Sequence, residues 1–171
     1  MIARRQADQI VFAFSTLERK VLERALAALL ENYKVRPEEA DQKGAAVWYS
    51  ARGCQRARMS ADETAEWLKQ LHHVRTGRME VLEICLKQFT AQSQPPWALR
   101  IPVSQAEALL TALNDHRLLL AARHDIGESE MSLRSFASLS KLPPDQQTAL
   151  CEIEFLAYLV EELLQLLQNP V

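Results

Sequence analysis

Three Ser-x-x-Glu segments, each followed by a long apolar run with helical spacing, constrain the fold of this chain more than any other feature. In a capping box of this kind the serine hydroxyl accepts a hydrogen bond from a free N–H of the first helical turn. The glutamate accepts a second one from the serine N–H. The sequence therefore predicts helix starts at three places, Ser15/Glu18, Ser60/Glu63 and Ser104/Glu107.

Apolar periodicity after these starts, and again after Pro143-Pro144, predicts four main helices. They cover roughly residues 16–33, 61–92, 105–124 and 144–168. Gly77 is expected to bend or split the second helix, whose predicted inner face comprises Trp67, Leu71, Val74, Val81, Cys85 and Phe89. Between the helices, residues 34–59 are expected to be irregular, and a short helix is expected around residues 133–139.

The chain is expected to form one all-α domain over residues 1–171, a helical bundle. Only four glycines occur in 171 residues, which disfavours glycine-rich phosphate loops and many tight hairpins. Two β-like runs, at residues 10–14 and 98–103, enter serine-capped helices directly. They could pair as a small two-stranded ribbon over one end of the bundle, with Pro102 at an edge or bulged position.

Charge is unevenly distributed along the chain. Residues 1–100 carry 16 Lys and Arg against 12 Asp and Glu, a net of +4, whereas residues 101–171 carry 4 against 10, a net of −6. The two halves are expected to attract each other or an oppositely charged partner. The overall net charge of −2 gives no general affinity for nucleic acids.

Cysteine content and the N-terminal sequence predict a cytoplasmic protein. Cys54, Cys85 and Cys151 are odd in number and lack CxxC spacing, as in a reducing compartment. No apolar segment follows the first arginines, so no secretory signal is expected. The leucine-rich stretch at residues 155–167 contains two glutamates and is too short to span a bilayer.

A polar cluster among leucines marks the third predicted helix, where Asn114, Asp115 and Arg117 interrupt an apolar run. Arg78 lies similarly within the apolar stripe of the second helix. One interpretation is a pocket built by these four residues for an anionic ligand or for the backbone of a partner. The other, which we favour, is that they pair inside the bundle, in which case Arg117→Ala should impair folding.

Motifs for catalysis or metal binding are absent from the sequence. No histidine among His72, His73, His116 and His124 has a glutamate three residues before it, and no HExxH or Cys/His cluster occurs. No nucleophile elbow, P-loop or dinucleotide fingerprint is present. We therefore expect no metal, cofactor or catalytic residue, and we interpret Cys54, flanked by arginines, as an exposed loop cysteine rather than a nucleophile.

Two surfaces suggest partners. Arg52, Arg56 and Arg58 could contact phosphates, but the segment after Pro143-Pro144 that would serve as a recognition helix is acidic, which disfavours DNA binding. The C-terminal leucine face is wider than one helix contact needs. It either packs wholly inside the monomer or forms the seam of a homodimer.

Residues 109–126 resemble the signature of an uncharacterised bacterial family, the domain of unknown function DUF2017. The family pattern is roughly Leu-Asn-Asp-x-Arg-Leu-x-Leu-x-x-Arg, which Asn114, Asp115, Arg117 and Arg123 match. The chain departs from the pattern at Ala122, where members often have glycine, and at Phe155 and Tyr158 in the last helix. The resemblance implies a small helical cytoplasmic protein whose gene often lies beside that of ClpS, the adaptor of the Clp protease.

Three functions are consistent with these features. We favour a non-catalytic interaction or regulatory protein linked to Clp-type proteolysis, in which Arg78, Asn114, Asp115, Arg117 and Arg123 order the core or one binding surface. The first alternative is a DNA-binding regulator that uses the basic run at residues 52–58. The second is a small-molecule-binding protein or enzyme with a polar pocket around Arg78 and Arg117.

Overall fold

The computed structural model describes residues 1–132 and 139–168. It contains a three-stranded antiparallel sheet. Its strands are β1 (Ile2–Gln6), β2 (Gln9–Phe14) and β3 (Trp97–Pro102), in the order β1-β2-β3. The β2–β3 register pairs Gln9 with Pro102. Because β3 is an edge strand, the missing N–H of Pro102 leaves no gap in the middle of the sheet.

The first helical segment follows β2 directly. Helix α1 (Thr16–Lys34) is followed by a 3₁₀ turn at Pro37–Glu39 and by two short helices, α2 (Gln42–Trp48) and α3 (Arg52–Arg56). The capping boxes at Ser15/Glu18 and Ser60/Glu63 are both formed, as predicted.

Five further helices follow in the described part of the chain. They are α4 (Ala61–Thr76), α5 (Met79–Thr90), α6 (Val103–Arg123), α7 (Glu128–Met131) and α8 (Pro144–Gln168). Helix α6 contacts α1, α2, α5 and α8, and the sheet packs against α5 and α6. Its mixture of leucines on several sides therefore reflects a central position, as expected for a helix that is apolar nearly all round.

One large core joins the sheet to the helices. Its fully buried members include Phe12, Leu26, Leu99, Leu113 and Leu156. A smaller cluster, formed by Ile126, Ala149, Leu150 and Ile153, closes the junction between α6 and the start of α8. The two clusters place α6 and α8 side by side along most of their lengths.

The fold class predicted from sequence is correct only in part. The protein is mainly helical, but it is not purely all-α, and it contains more helices than the four expected. The predicted ribbon is real and antiparallel, yet it has a third strand, β1, on the other edge of β2. Residues 34–59, expected to be irregular, contain α2 and α3.

Two local predictions about the helices need correction or refinement. Helix α6 begins at Val103, and Ser104 lies inside it without a capping hydrogen bond. The reason is that the strand continues to Pro102, and the Val103 N–H donates to the Asp8 carbonyl at 2.8 Å. At Gly77 the predicted second helix does split, into α4 and α5, and Val74 is 53% exposed rather than on the inner face.

Two further predictions concern membrane-spanning helices and the segment around residues 133–139. Among the described residues, no helix is both long and apolar enough to cross a membrane. The short helix expected around residues 133–139 lies almost entirely in 133–138, outside the described residues.

Candidate functional site

Asp115 is the centre of a polar network that joins three helices. Its Oδ2 atom accepts hydrogen bonds from the Tyr33 hydroxyl at 2.8 Å and from Arg78 Nη1 at 3.0 Å. Arg75 Nε lies 3.7 Å from the same oxygen. The Asp115 side chain is 13% exposed, so its charge is held largely within the protein by two guanidinium groups and a phenol.

Aromatic side chains surround this network on the side of α2. The Trp48 indole Nε1 donates to the Asp115 carbonyl at 3.1 Å. The Arg75 guanidinium lies over the rings of Trp48 and Tyr49, with its carbon 5.5 and 5.2 Å from their centroids. Tyr49 shares a hydrogen bond of 3.1 Å with His72 Nδ1. Arg75 and His72 therefore attach α4, which has no buried residue, to the body of the protein.

The protonation of Tyr33 follows from its position. Burial raises the pKa of the Tyr33 hydroxyl far above its ordinary value, and the Asp115 charge raises this pKa further. The phenol therefore remains a hydrogen-bond donor at every physiological pH. A tyrosine with these properties is suited to fixing a carboxylate in place rather than to proton transfer near neutral pH.

The predicted polar residues do not converge on one pocket. Arg78 and Asp115 are paired, but Arg117 instead meets Asn114 on its own helix, with Nη1 3.3 Å from Oδ1. Residues 115 and 117 lie about 160° apart around α6, since successive residues turn by about 100°. The pocket expected from Arg78, Asn114, Asp115 and Arg117 is thus two separate arrangements.

Arg123 belongs to a third place, near the C-terminal end of α6. Its Nη2 donates to Asn32 Oδ1 at 2.9 Å and to Asp41 Oδ2 at 2.6 Å. The Asp41 carboxylate accepts a second hydrogen bond, from the Gly44 N–H. The bonds from Gly44 and Arg123 together lower the pKa of Asp41. These residues border a cavity of about 170 Å³, which is small compared with typical ligand sites. Arg123 holds the start of α2 against α1 and α6.

A second buried ionic group was not predicted from sequence. Glu152, 7% exposed on α8, meets His116 Nε2 at 3.1 Å through Oε1 and Arg24 Nη2 at 2.6 Å through Oε2. A carboxylate only accepts, so the His116 Nε2 carries a proton. Burial raises the pKa of Glu152, but hydrogen bonds from His116 and Arg24 outweigh burial and the net pKa is lowered.

An open groove lies beside this second group, between α1 and α8. Its lining includes Leu17 and Val21 from α1 and Cys151 and Phe155 from α8, together with the ion-paired Arg24 and Glu152. The groove encloses about 490 Å³ and is more apolar than polar. Leu17 is 72% exposed there.

The remaining candidate residues have structural surroundings. Cys54 is buried at 2% exposure, so the prediction of an exposed loop cysteine is wrong: α3 turns its side chain inward. Arg52, Arg56 and Arg58 are exposed around it. Within the described ranges 1–132 and 139–168, no group of three or more His, Cys, Asp or Glu side chains is arranged to hold a metal ion.

Comparison with known families agrees with the resemblance seen in α6. A family model described as Domain of unknown function (DUF2017) matches residues 70–167, more than half of the chain. The protein therefore belongs to this family. The matched region contains Arg75, Arg78, Asp115, His116 and Glu152, whereas their partners Tyr33, Trp48 and Arg24 precede it. No curated protein and no solved structure matches the chain.

Proposed function

We propose that the protein is a non-catalytic interaction or regulatory protein of the cytoplasm, acting in Clp-type proteolysis. In this proposal the Asp115 network is part of the framework, and an exposed surface of the helical body binds the partner. The observation that supports it best is that the Asp115 carboxylate is already held inside the protein: its Oδ2 atom accepts from Tyr33 and Arg78, and Tyr33 has no exposed surface.

A carboxylate that is already paired in this way leaves little for a substrate to bind. A ligand carboxylate or phosphate would have to displace Asp115 from two guanidinium groups that are themselves mostly buried. Separating a buried ion pair is costly, since each partner loses its counter-charge in a medium of low dielectric. This favours a role in ordering the fold over the alternative of a ligand pocket around Arg78 and Arg117.

The link to Clp rests on the family. The resemblance at Asn114, Asp115, Arg117 and Arg123 implies a gene neighbourhood that includes ClpS. A protein that modulates adaptor or protease activity needs a binding surface and no reacting centre, which fits the proposal above.

Direct binding to purified Clp components tests the proposed function. The full chain, immobilised through an affinity tag, is exposed separately to ClpS, to the Clp ATPase and to the Clp peptidase, and binding is followed by surface plasmon resonance. We expect saturable binding to one of them. Absence of binding to all three, together with turnover of any member of a metabolite panel, would overturn the proposal.

The DNA-binding alternative has its own measurement. Fluorescence anisotropy of a labelled duplex at low salt should show no binding if Arg52, Arg56 and Arg58 are merely solvated. Binding that weakens steeply with salt, and is lost when these three arginines are replaced by glutamine, would favour the alternative.

A further inference from the structure

Side chains from α5 and the residues just after it cover one edge of the sheet, that of β3. The Gln92 amide donates to the Ala98 carbonyl at 2.6 Å and accepts from the Ala98 N–H at 2.8 Å. The Gln88 amide does the same at Arg100, with distances of 2.7 and 2.9 Å. Two glutamine side chains therefore take the place of a fourth strand along this edge.

The glutamine bonds also determine which backbone groups of β1 point outward. Successive residues of a strand direct their N–H and C=O groups to opposite sides. The two outward positions on β3 are opposite Ala13 and Val11, so these residues of β2 bond to β1 instead. Their partners in β1 are even-numbered residues, which leaves Ala3 and Arg5 with N–H and C=O groups directed away from the sheet.

Strand β1 thus ends the sheet with a row of unpaired backbone groups. Within residues 1–132 and 139–168, no hydrogen bond joins the outward N–H and C=O groups of Ala3 and Arg5 to another part of the chain. Helix α8 meets β1 through the Arg5 side chain, whose Nη1 atom donates to the Leu166 carbonyl at 3.4 Å. A free strand edge of this kind is a template on which another strand can pair.

The solvent-facing side of the sheet is basic beside this edge. Ile2 is 72% exposed, and Arg4 and Gln6 are exposed on the same face. In its favourable orientation the neutral Gln6 amide oxygen accepts from Arg4 Nε at 3.0 Å. The three strands contain no Asp or Glu. Within the described part of the chain, neither Arg4 nor Arg100 nor Asp8, in the turn after β1, forms a salt bridge.

We propose that the outer edge of β1 binds an acidic, extended segment of a partner protein, which adds to the sheet as a fourth strand. Its backbone pairs with the N–H and C=O groups of Ala3 and Arg5. Its side chains on the solvent-facing side lie directly beside those of β1, so a carboxylate meets Arg4 and an apolar side chain meets Ile2. In antiparallel addition, the commoner arrangement, the acidic residue precedes the apolar one by two positions. This inference rests on the proposed function and names the surface and the chemistry of the partner.

A second copy of β1 fits this edge less well than an acidic segment. When two β1 strands pair across a two-fold axis with all five residues in register, Arg4 lies opposite its own counterpart, and like charges directly opposite are destabilising. Charged residues on a short edge strand are a common protection against self-pairing. Here the same arginine favours a partner that carries Asp or Glu at the matching position.

Four fluorescein-labelled peptides of about nine residues test the charge and the backbone pairing separately. The parent has threonines around a central glutamate, with valine two positions later, and the second has lysine in place of glutamate. The third has N-methyl groups on the two residues that flank the glutamate, whose amides would donate to β1. The fourth, a matched control, has them on the glutamate and the valine, whose amides would point away.

Anisotropy titrations with the full chain at low salt should rank these peptides. The parent should bind about fivefold more tightly than the lysine peptide, because one cross-strand attraction is replaced by a repulsion. Methylation beside the glutamate should weaken binding at least about tenfold, since two backbone hydrogen bonds are lost. Methylation of the glutamate and valine should leave binding close to that of the parent.

Matched variants of the protein locate the binding. Arg4→Glu should reverse the preference and favour the lysine peptide, whereas Arg100→Glu, the same charge change on the same face of β3, should retain the preference for glutamate. Ala3→Pro removes an outward N–H without removing a bond to β2, so it should weaken the binding of both peptides. Circular dichroism confirms that each variant is folded. Bound parent peptide should also slow hydrogen exchange at the amides of Ala3 and Arg5.

The outcomes separate this inference from the proposed function. Equal binding of the glutamate and lysine peptides would overturn the acidic partner. Equal effects of the two methylation patterns, or no binding of any peptide, would overturn strand addition at β1 even if a Clp component binds elsewhere. A wild-type dimer in light scattering that Ala3→Pro converts to a monomer would show that the occupant is a second copy.

Discussion

At the scale of single residues, Asp115 shows what a helical sequence pattern reveals and what it leaves out. The placement of a carboxylate among leucines predicts a paired, partly buried group, and Arg78 does pair with it. Tyr33, Arg75 and Trp48 could not be chosen from sequence, because periodicity defines the faces of one helix and not which faces of different helices meet. Arg117 was grouped with Asp115 for the same reason, although it lies nearly opposite on α6.

Replacing Asp115 by alanine should be strongly destabilising. The change leaves Arg78 and Arg75 without their counter-charge and the buried Tyr33 hydroxyl without an acceptor. We expect the free energy of unfolding to fall by about 3 kcal/mol, the scale of breaking a buried ion pair. Urea denaturation followed by circular dichroism measures this loss.

The control for Asp115→Ala is Glu128→Ala, at an exposed position of α7. It should change the free energy of unfolding by less than about 0.5 kcal/mol. Similar small losses in both variants would mean that the Asp115 network contributes little to folding, and would reopen the possibility of a ligand site there.

Glu152 should make the fold sensitive to acid. Because its folded pKa lies below the ordinary value of 4.5, ionised Glu152 stabilises the fold above that value. This contribution is lost as pH falls through the lowered pKa. The free energy of unfolding, measured in urea from about pH 6 to about pH 3, should therefore decline less steeply in Glu152→Gln than in the wild type.

Glu154→Gln is the matched control for acid sensitivity, since it removes an exposed carboxylate two residues away on α8. It is expected to keep the wild-type slope. If both variants have the same slope as the wild type, the hydrogen bonds from His116 and Arg24 do not couple Glu152 ionisation to folding.

At the scale of elements, local signals predicted most helices and missed the parts that depend on packing. The boundaries of α1 and the division at Gly77 follow from capping and glycine chemistry. Strand β1 was missed because Arg4 and Arg5 interrupt its apolar pattern; it forms by backbone pairing with β2. Helix α2 was missed because it is short and its first residues are polar. The burial of Trp48 and Tyr49 fixes it in place.

Two serines with the same sequence motif should differ in their effect on stability. Ser15 accepts from the Glu18 N–H and caps α1, whereas Ser104 lies inside α6 and caps nothing. Ser15→Ala should lower the free energy of unfolding by about 1 kcal/mol. Ser104→Ala should be neutral or slightly stabilising, since alanine is the better helix former.

Thermal and urea unfolding of these two variants, compared with the wild type, would check the assignment of the α6 start. A loss in Ser104→Ala as large as that in Ser15→Ala would contradict it. That result would indicate that the hydroxyl of Ser104 caps the helix in solution and that α6 begins after the serine, as its sequence motif predicts.

At the scale of the whole molecule, ion pairs connect the basic first part of the chain to its acidic second part. Among the described residues, basic side chains of the first hundred positions meet acidic side chains of the rest at three places: Arg24 with Glu152, Lys43 with Asp125, and both Arg75 and Arg78 with Asp115. Arg123 with Asp41 is a pair in the opposite sense. The sequence predicts that the two halves attract each other or an oppositely charged partner. It could not identify these pairs, which depend on how α1, α2 and the junction of α4 and α5 pack against α6 and α8.

Salt should therefore weaken the fold, and it should do so through pairs that connect elements rather than through pairs within one helix. Exposed ion pairs are screened as ionic strength rises, because the Debye length shortens from about 14 Å at 0.05 M to about 4 Å at 0.5 M. Over that range of NaCl we expect the free energy of unfolding to fall by about 1 kcal/mol, the sum of several weak contributions.

Asp125→Asn removes the pair with Lys43, and asparagine tolerates the positive φ of 52° at this position, so the backbone should be retained. Its salt dependence should be smaller than that of the wild type by a few tenths of a kcal/mol. Glu31→Gln, which removes only the pair with Lys34 inside α1, should keep most of the wild-type dependence because residues on one helix stay near each other without it. A free energy of unfolding that does not change with salt, or the same salt dependence in Asp125→Asn and Glu31→Gln, would contradict this prediction. The segregated charge would then serve a partner and not the fold.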